Sequence, residues 1–151
     1  MKALRQRGHG ERGAELIEMA LTLPLLLLVA VSIFEFGRAY QTWQILTNAA
    51  REGARVAAMP SVNTGDPEAR VRDYMKSGQL TKWDTASVSV TNATISYGTG
   101  TATAAKVTVD YPFEFIMLNP VAKLLNPNST TGAPLTITAS AQMRNEAQGA
   151  P

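Results

Sequence analysis

The feature that most limits the possible folds of this chain is an uncharged run of sixteen residues, MALTLPLLLLVAVSIF, from Met19 to Phe34. Counted from Leu16 and including Glu18, the run reaches 19 residues, close to the ~20 that a helix needs to cross the hydrocarbon core of a bilayer. Charged residues make up only 17% of the chain, against about 25% in an average soluble domain. Because that deficit is concentrated in the run, the sequence predicts a membrane-spanning helix.

The charge distribution predicts how this helix is oriented. Residues 1–13 carry four basic and one acidic side chain, a net charge of +3, whereas the remainder carries ten basic and eleven acidic side chains, a net charge of −1. Basic residues before an apolar run hold the N-terminus in the cytoplasm, so we expect the chain from Glu35 onward to lie outside. The basic character belongs to a short head, which offers no folded basic face for nucleic acid.

The residue types that carry catalysis are scarce in this sequence. There is no cysteine, and the only histidine, His9, lies in the basic head, so disulfides, thiolate sites and histidine-dependent triads are not expected. We find no paired carboxylates at catalytic spacing, no glycine-rich phosphate loop and no nucleophile elbow. The sequence therefore predicts a protein that is not an enzyme and has no catalytic residues, no metal site and no cofactor. Four scattered acids could form a metal site only if folding brought them together, which we do not expect: Asp73, Asp84, Asp110 and Glu114.

Two ordinary interpretations of the apolar run explain the sequence poorly. A cleaved secretory signal needs a small-x-small site after its core, and residues 29–32, VAVS, match that pattern badly. A plain single-pass anchor leaves Glu15 and Glu18 unexplained, because carboxylates near a membrane are costly unless they find a cation.

Cleavage after Gly13 would supply that cation. Ala14 would become the new N-terminus, and its α-amine would lie four residues from Glu18, the spacing that places two groups on one helical face. The cut also removes every arginine of the head, whereas a cut after Gly10 would leave Arg12 in the stem. The residues therefore favour processing between Gly13 and Ala14.

Gly13 followed by AELIE resembles the prepilin processing site of type IV pilins, with glycine before the cut and glutamate at the fifth mature position. The longer stretch from Gly13 to Ala58 resembles the N-terminal signature of TadE-like pseudopilins of tight-adherence (Tad) pili. The likeness includes Pro24, EFGRA at 35–39 and NAAREGAR at 48–55, with weaker support from MRNE at 143–146. Two positions depart from the pattern: Met19 replaces a frequent aromatic, and Glu15 is an additional acid.

The resemblance implies roles for individual residues and a set of partners. Glu18 would neutralise the amine of Ala14, on its own chain or on a neighbour, with Glu15 as the less favoured partner. Pro24 would kink the stem helix and allow it to unwind on assembly. The implied partners are a prepilin peptidase, other pilin and pseudopilin subunits, the pilus assembly platform of the inner membrane, and the lipid bilayer.

The rest of the chain predicts an α+β fold. The transmembrane helix continues beyond the membrane to about Pro60, with an apolar row of Phe36, Tyr40, Trp43, Leu46 and Ala50 expected to cover a sheet. A short helix over 67–76 follows, capped by Asp66. Period-two alternation over 87–95, 106–113 and 135–143 predicts an antiparallel sheet of three or slightly more strands packed on the helix. We expect a hairpin loop over 97–105 and a short helix or extended crossover over 116–125.

These elements divide the chain into five predicted segments. They are a cytoplasmic leader at 1–13, a hydrophobic stem at 14–35, the extracytoplasmic half of the long helix at 36–60, a small helix-and-sheet domain at 61–145, and a flexible tail at 146–151.

We interpret the chain as a pilin-like structural subunit that a prepilin peptidase trims and that acts in pilus assembly, initiation or surface adhesion. Its place is the inner (cytoplasmic) membrane, with possible incorporation into a surface pilus. The alternative is a single-pass, membrane-anchored extracytoplasmic binding or sensor protein, which would keep its N-terminal segment. Processing discriminates between the two.

Overall fold

A computed structural model describes residues 8–59, 66–98 and 100–145, so most of the predicted leader and the predicted tail lie outside the described residues. Long helix, short helix and antiparallel sheet are all present, which confirms the α+β class. In chain order the elements are α1 (Gly8–Ala58), α2 (Pro67–Ser77), β1 (Ser87–Tyr97), β2 (Gly100–Phe113), α3 (Leu118–Leu125) and β3 (Leu135–Arg144).

The three strands form one antiparallel sheet with β2 in the centre. Val109 of β2 lies opposite Val88 of β1 and Ala139 of β3. From Ala105 to Phe113 every second residue of β2 is buried, because side chains alternate between the two faces of a strand. The predicted sheet with one apolar face is therefore confirmed.

The expected hairpin loop over 97–105 was too long. β1 and β2 pair as far as Tyr97 opposite Gly100, so most of that segment is strand. The segment is rich in alanine, glycine and threonine, and alanine and glycine are depleted in strands. Pairing with β1 therefore decided a structure that local composition did not indicate. For 116–125 the structure selects the helix of the two predicted alternatives.

Contacts divide the chain into two units. The stem unit comprises the residues up to Gly37 together with Glu114–Ala133, and so contains the first part of α1 and all of α3. The sheet unit comprises Arg38–Phe113 and the residues from Pro134 onward. It contains the rest of α1, α2 and the three strands.

The core of the sheet unit is built on small residues of α1. Leu46 and Ala50 of the predicted apolar row are fully buried, but Tyr40 and Trp43 are exposed, and so is Phe36 in the stem unit. The prediction that the whole row covers the sheet was therefore wrong for its three aromatic residues. Small side chains let a helix approach a sheet closely, whereas aromatic ones would hold it away. The buried core positions include Leu46, Ala49, Ala50, Ala54, Val71, Met75, Val107 and Val109.

Gly53 lies where α1, α2 and β2 meet. A Cβ atom added there would overlap Cγ2 of Val71 and lie 3.4 Å from Cγ1 of Val107. Valine has a stiff χ1 angle, so the clash cannot be relieved by the side chain alone. Gly37, also on α1, has no such neighbour within 4 Å. The two glycines thus differ only in what surrounds them.

We expect Gly53→Ala and Gly37→Ala to change stability in opposite directions. Both substitutions gain about 0.5–1 kcal/mol of helix propensity, but only Gly53→Ala overpacks a core, at a cost of typically 1–3 kcal/mol. Thermal unfolding of the full chain in detergent, followed by circular dichroism, measures both. Equal melting temperatures for the two variants would show that α2 shifts to accommodate the added methyl group at no cost in stability.

Helix α2 is fixed by a cap and an ion pair. Asp66 accepts a hydrogen bond from the backbone N–H of Glu68 at 2.9 Å, as its N-cap position predicts. Glu52 of α1 accepts from Arg55 at 2.9 Å and from Arg70 of α2 at 2.8 Å. Hydrogen bonds from Arg55 and Arg70 lower the pKa of Glu52 to about 2, so the carboxylate is charged at neutral pH. The Glu52–Arg70 pair joins α1 to α2, but because both arginines are about half exposed the two pairs stabilise the structure only slightly.

Candidate functional site

The N-terminal part of α1 exposes its apolar side chains. Among the described residues, one helix, Gly13–Ala58, is long and apolar enough to cross a membrane; its most apolar window has a mean hydropathy of 2.4 and contains no buried residue. Leu21, for example, is 72% exposed and Ile33 is 71% exposed. The core helix of a soluble protein would bury such residues, so this helix fits a membrane anchor instead.

Two hydroxyl side chains of the stem are satisfied within the helix. The hydroxyl of Thr22 donates to the backbone carbonyl of Glu18 at 3.0 Å, and that of Ser32 donates to the carbonyl of Leu28 at 2.7 Å. A segment in hydrocarbon needs such internal partners, because no water is present to supply them.

The predicted processing residues lie together on α1. Gly13, Ala14 and Glu18 are all exposed, and apart from its own helix Gly13 has no neighbouring atom within 4 Å of the position a Cβ would take. Ala14 and Glu18 are about one turn apart, which places them on the same face. Glu15 is also exposed but lies elsewhere around the helix. The roles of all four residues remain predictions.

Pro24 lies inside α1, with helix on both sides of it. Its ring removes one backbone donor from the helix. The kink assigned to this residue remains a prediction.

The most unusual side chain of the stem unit is Glu35, which is fully buried. Its Oε1 atom accepts hydrogen bonds from the backbone N–H groups of Ile116, at 2.8 Å, and Met117, at 2.6 Å. An intramolecular hydrogen bond contributes about 0.5–1.5 kcal/mol to stability. Glu35 thus ties α1 to the segment that begins α3.

Glu35 completes the N-terminus of α3. Met117 occupies the N-cap position, makes no side-chain cap hydrogen bond, and is followed by no acidic residue in the first turn. Helix N-termini leave backbone N–H groups unpaired and carry a partial positive charge. The carboxylate of Glu35 on α1 accepts instead from the N–H of Met117 at the N-cap and from that of Ile116 just before it.

Two further contacts hold this junction. The rings of Phe36 and Phe115 meet edge to face, with centroids 6.2 Å apart. Gly132, in the loop after α3, has a φ of +78°, and a Cβ there would lie 2.7 Å from the backbone nitrogen of Asn119. Only glycine fits both the angle and the close approach. The start of α3 is therefore held from α1 on one side and from its own return loop on the other.

Glu35 was not identified as a site residue from the sequence. It appeared only as the boundary of the apolar run and as the first letter of EFGRA. The available signal was a single carboxylate placed directly after the apolar run, where a buried charge needs a partner. That partner lies 81 residues away along the chain.

Comparison with known proteins identifies the family of this region. Residues 13–55 match the family model described as TadE-like protein. Comparison with curated proteins and with solved structures gives no match to the chain. TadE-like proteins form a structural, pilin-type family associated with Tad pili, and an N-terminal membrane helix fits it. The chain therefore carries a TadE-like segment over residues 13–55, which confirms the resemblance found in the sequence.

Proposed function

We propose that this chain is a minor, pilin-like subunit of a Tad pilus, cut by a prepilin peptidase after Gly13 and anchored in the inner membrane by its stem. The observation that carries the proposal is the TadE-like match, which begins at the proposed cleavage residue. The exposed apolar surface of α1 supports it, because that surface needs lipid or neighbouring stems to cover it. The basic leader then lies in the cytoplasm and the sheet unit outside.

The proposed roles of the stem residues follow from their spacing on α1. Once the leader is removed, the amine of Ala14 lies one turn from Glu18, so the two charges neutralise each other within the apolar stem. Pro24 provides a point at which the helix bends or unwinds when the subunit passes from bilayer to pilus. The partners are the peptidase, other pilin and pseudopilin subunits and the assembly platform.

The test is the N-terminus of the protein isolated from membranes of cells that contain a prepilin peptidase. We expect the mature chain to begin at Ala14. Gly13→Leu should abolish cleavage, because the peptidase must bring its catalytic groups up to an unhindered backbone. Gly10→Leu is the matched control: the same substitution three residues earlier should leave cleavage at Gly13 intact.

Terminal sequencing and intact mass give the answer directly. A chain that still begins at Met1 would contradict processing and favour the anchored sensor or binding protein. A chain that begins near Ser32 would instead identify the apolar run as a secretory signal.

A further inference from the structure

Helix α3 and the two residues before it present apolar side chains outward. Ile116 is 62% exposed, Met117 is 54% exposed and Leu124 is 72% exposed. Met117, Pro120 and Leu124 follow one another at spacings of three and four, so they form one stripe along the helix. We name these three residues the outer stripe of α3.

The opposite face of α3 is already used. Leu118 and Ala122, four residues apart, are buried within the protein. The helix is thus apolar on two faces, and only one of them packs against its own chain. An apolar face left outward on a surface helix marks an interaction site.

Hydrogen bonds fix where along the stem this surface lies. Glu35 accepts from the N–H groups of Ile116 and Met117, so α3 starts beside Glu35. The predicted stem, residues 14–35, has 22 residues, a helix of ~33 Å at ~1.5 Å per residue. That length matches the ~30 Å hydrocarbon core of a bilayer. Glu35 therefore marks the outer boundary of the hydrocarbon, and α3 begins at that boundary.

We propose that the outer stripe of α3, together with Ile116, lies in the outer interface of the bilayer that the stem crosses, and forms a second membrane contact of this subunit. Interfacial helices bury an apolar face about 5–10 Å into the boundary between headgroups and acyl chains. Lys123, exposed beside Leu124, can extend its ammonium to the lipid phosphates.

The aromatic residues of the stem unit support lipid as the occupant. Phe34 and Phe36 are 64% and 60% exposed and flank Glu35 on α1. Phenylalanine rings are wholly apolar, so these two side chains extend the apolar surface of the stem past Glu35. Because the segment that begins α3 is bound to Glu35 at the end of the exposed apolar stem, the bilayer that covers the stem is also placed to cover the stripe. The inference rests on the proposed membrane-spanning stem, whose first residue is set by the proposed cleavage after Gly13, and does not require incorporation into a pilus.

Single-cysteine labelling tests this proposal cleanly, because the natural chain has no cysteine. Met117→Cys and Leu124→Cys, each in the full chain, carry a fluorophore sensitive to polarity, in nanodiscs of zwitterionic and anionic phospholipid with one copy per disc. Leu26→Cys in the stem reports the hydrocarbon, and Ser89→Cys, an exposed polar position on β1, reports water. A nitroxide lipid labelled high on its acyl chain serves as quencher.

The expected result is a blue-shifted emission and lipid quenching for the labels at Met117 and Leu124, close to those at Leu26 and unlike those at Ser89. Labels at both positions that behave like Ser89, while Leu26 is quenched, would overturn the interfacial placement and leave the stem intact. A shift that appears only in discs with two or more copies would show that a second subunit covers the stripe, and would also overturn it. An unquenched label at Leu26 would contradict both the stem and the inference.

Discussion

Glu35→Ala should release the segment that begins α3 from α1. The substitution leaves the N–H groups of Ile116 and Met117 without their acceptor, and a buried donor left unpaired costs about 1–3 kcal/mol. Two such donors amount to roughly 2–6 kcal/mol of local stability. Hydrogen exchange of the full chain in detergent micelles should therefore speed up at least about thirtyfold over residues 116–125, since 1.4 kcal/mol is a factor of ten.

Two variants control this experiment. Both hydrogen bonds end on the same oxygen of Glu35, and glutamine retains one oxygen there. Glu35→Gln should therefore show a smaller effect than Glu35→Ala, because an acceptor remains for the two N–H groups. Glu15→Ala removes an exposed glutamate from the same helix and should leave exchange over 116–125 unchanged. If the Glu35→Ala variant shows the same hydrogen exchange over residues 116–125 as the natural protein, Gly132 and the buried face of α3 are sufficient to hold the start of α3 in place.

Glu18→Gln should leave cleavage after Gly13 largely intact but strongly reduce incorporation of the subunit into pili. The amine of Ala14 would then lie in an apolar stem without its carboxylate, and breaking one member of a buried ion pair costs about 3–5 kcal/mol. The measurement is the ratio of sheared surface pili to membrane-bound mature subunit, determined by immunoblot in cells that assemble the pilus.

Glu15→Gln is the matched control, because it removes the same charge three residues earlier and one residue from the amine. We expect it to have a much smaller effect, since position 15 points elsewhere around the helix. Loss of pili with Glu15→Gln but not with Glu18→Gln would move the pairing role to Glu15. If neither variant changes incorporation into pili, the charge pair has no role in assembly.

The apolar run and the second helix could be predicted because their signals are local. The run from Met19 to Phe34 has few alternatives to a membrane helix. Helix α2 begins and ends at residues whose backbone preferences are known: Asp66 caps it, Pro67 occupies its first turn and Gly78 follows its end. The strands were found where valine and isoleucine alternate with polar residues, and missed over 101–105, where small residues gave no such pattern.

The contacts that build the junction could not be predicted in this way, because they join distant parts of the chain. Nothing around Glu35 in the sequence indicates that its carboxylate accepts from residues 81 and 82 positions away. The same is true of Gly53: a Cβ atom does not fit there because it would clash with Val71, which lies on another helix.

The sequence by itself thus determined the apolar stem helix, the TadE-like character of residues 13–55 and the α+β class, since each depends on composition, periodicity or a short motif. Only the tertiary structure decided which apolar residues are covered. Tyr40 and Trp43 are exposed, whereas Ala49 and Ala54 are buried in the core, because small side chains allow close packing of the helix and large aromatic ones would prevent it.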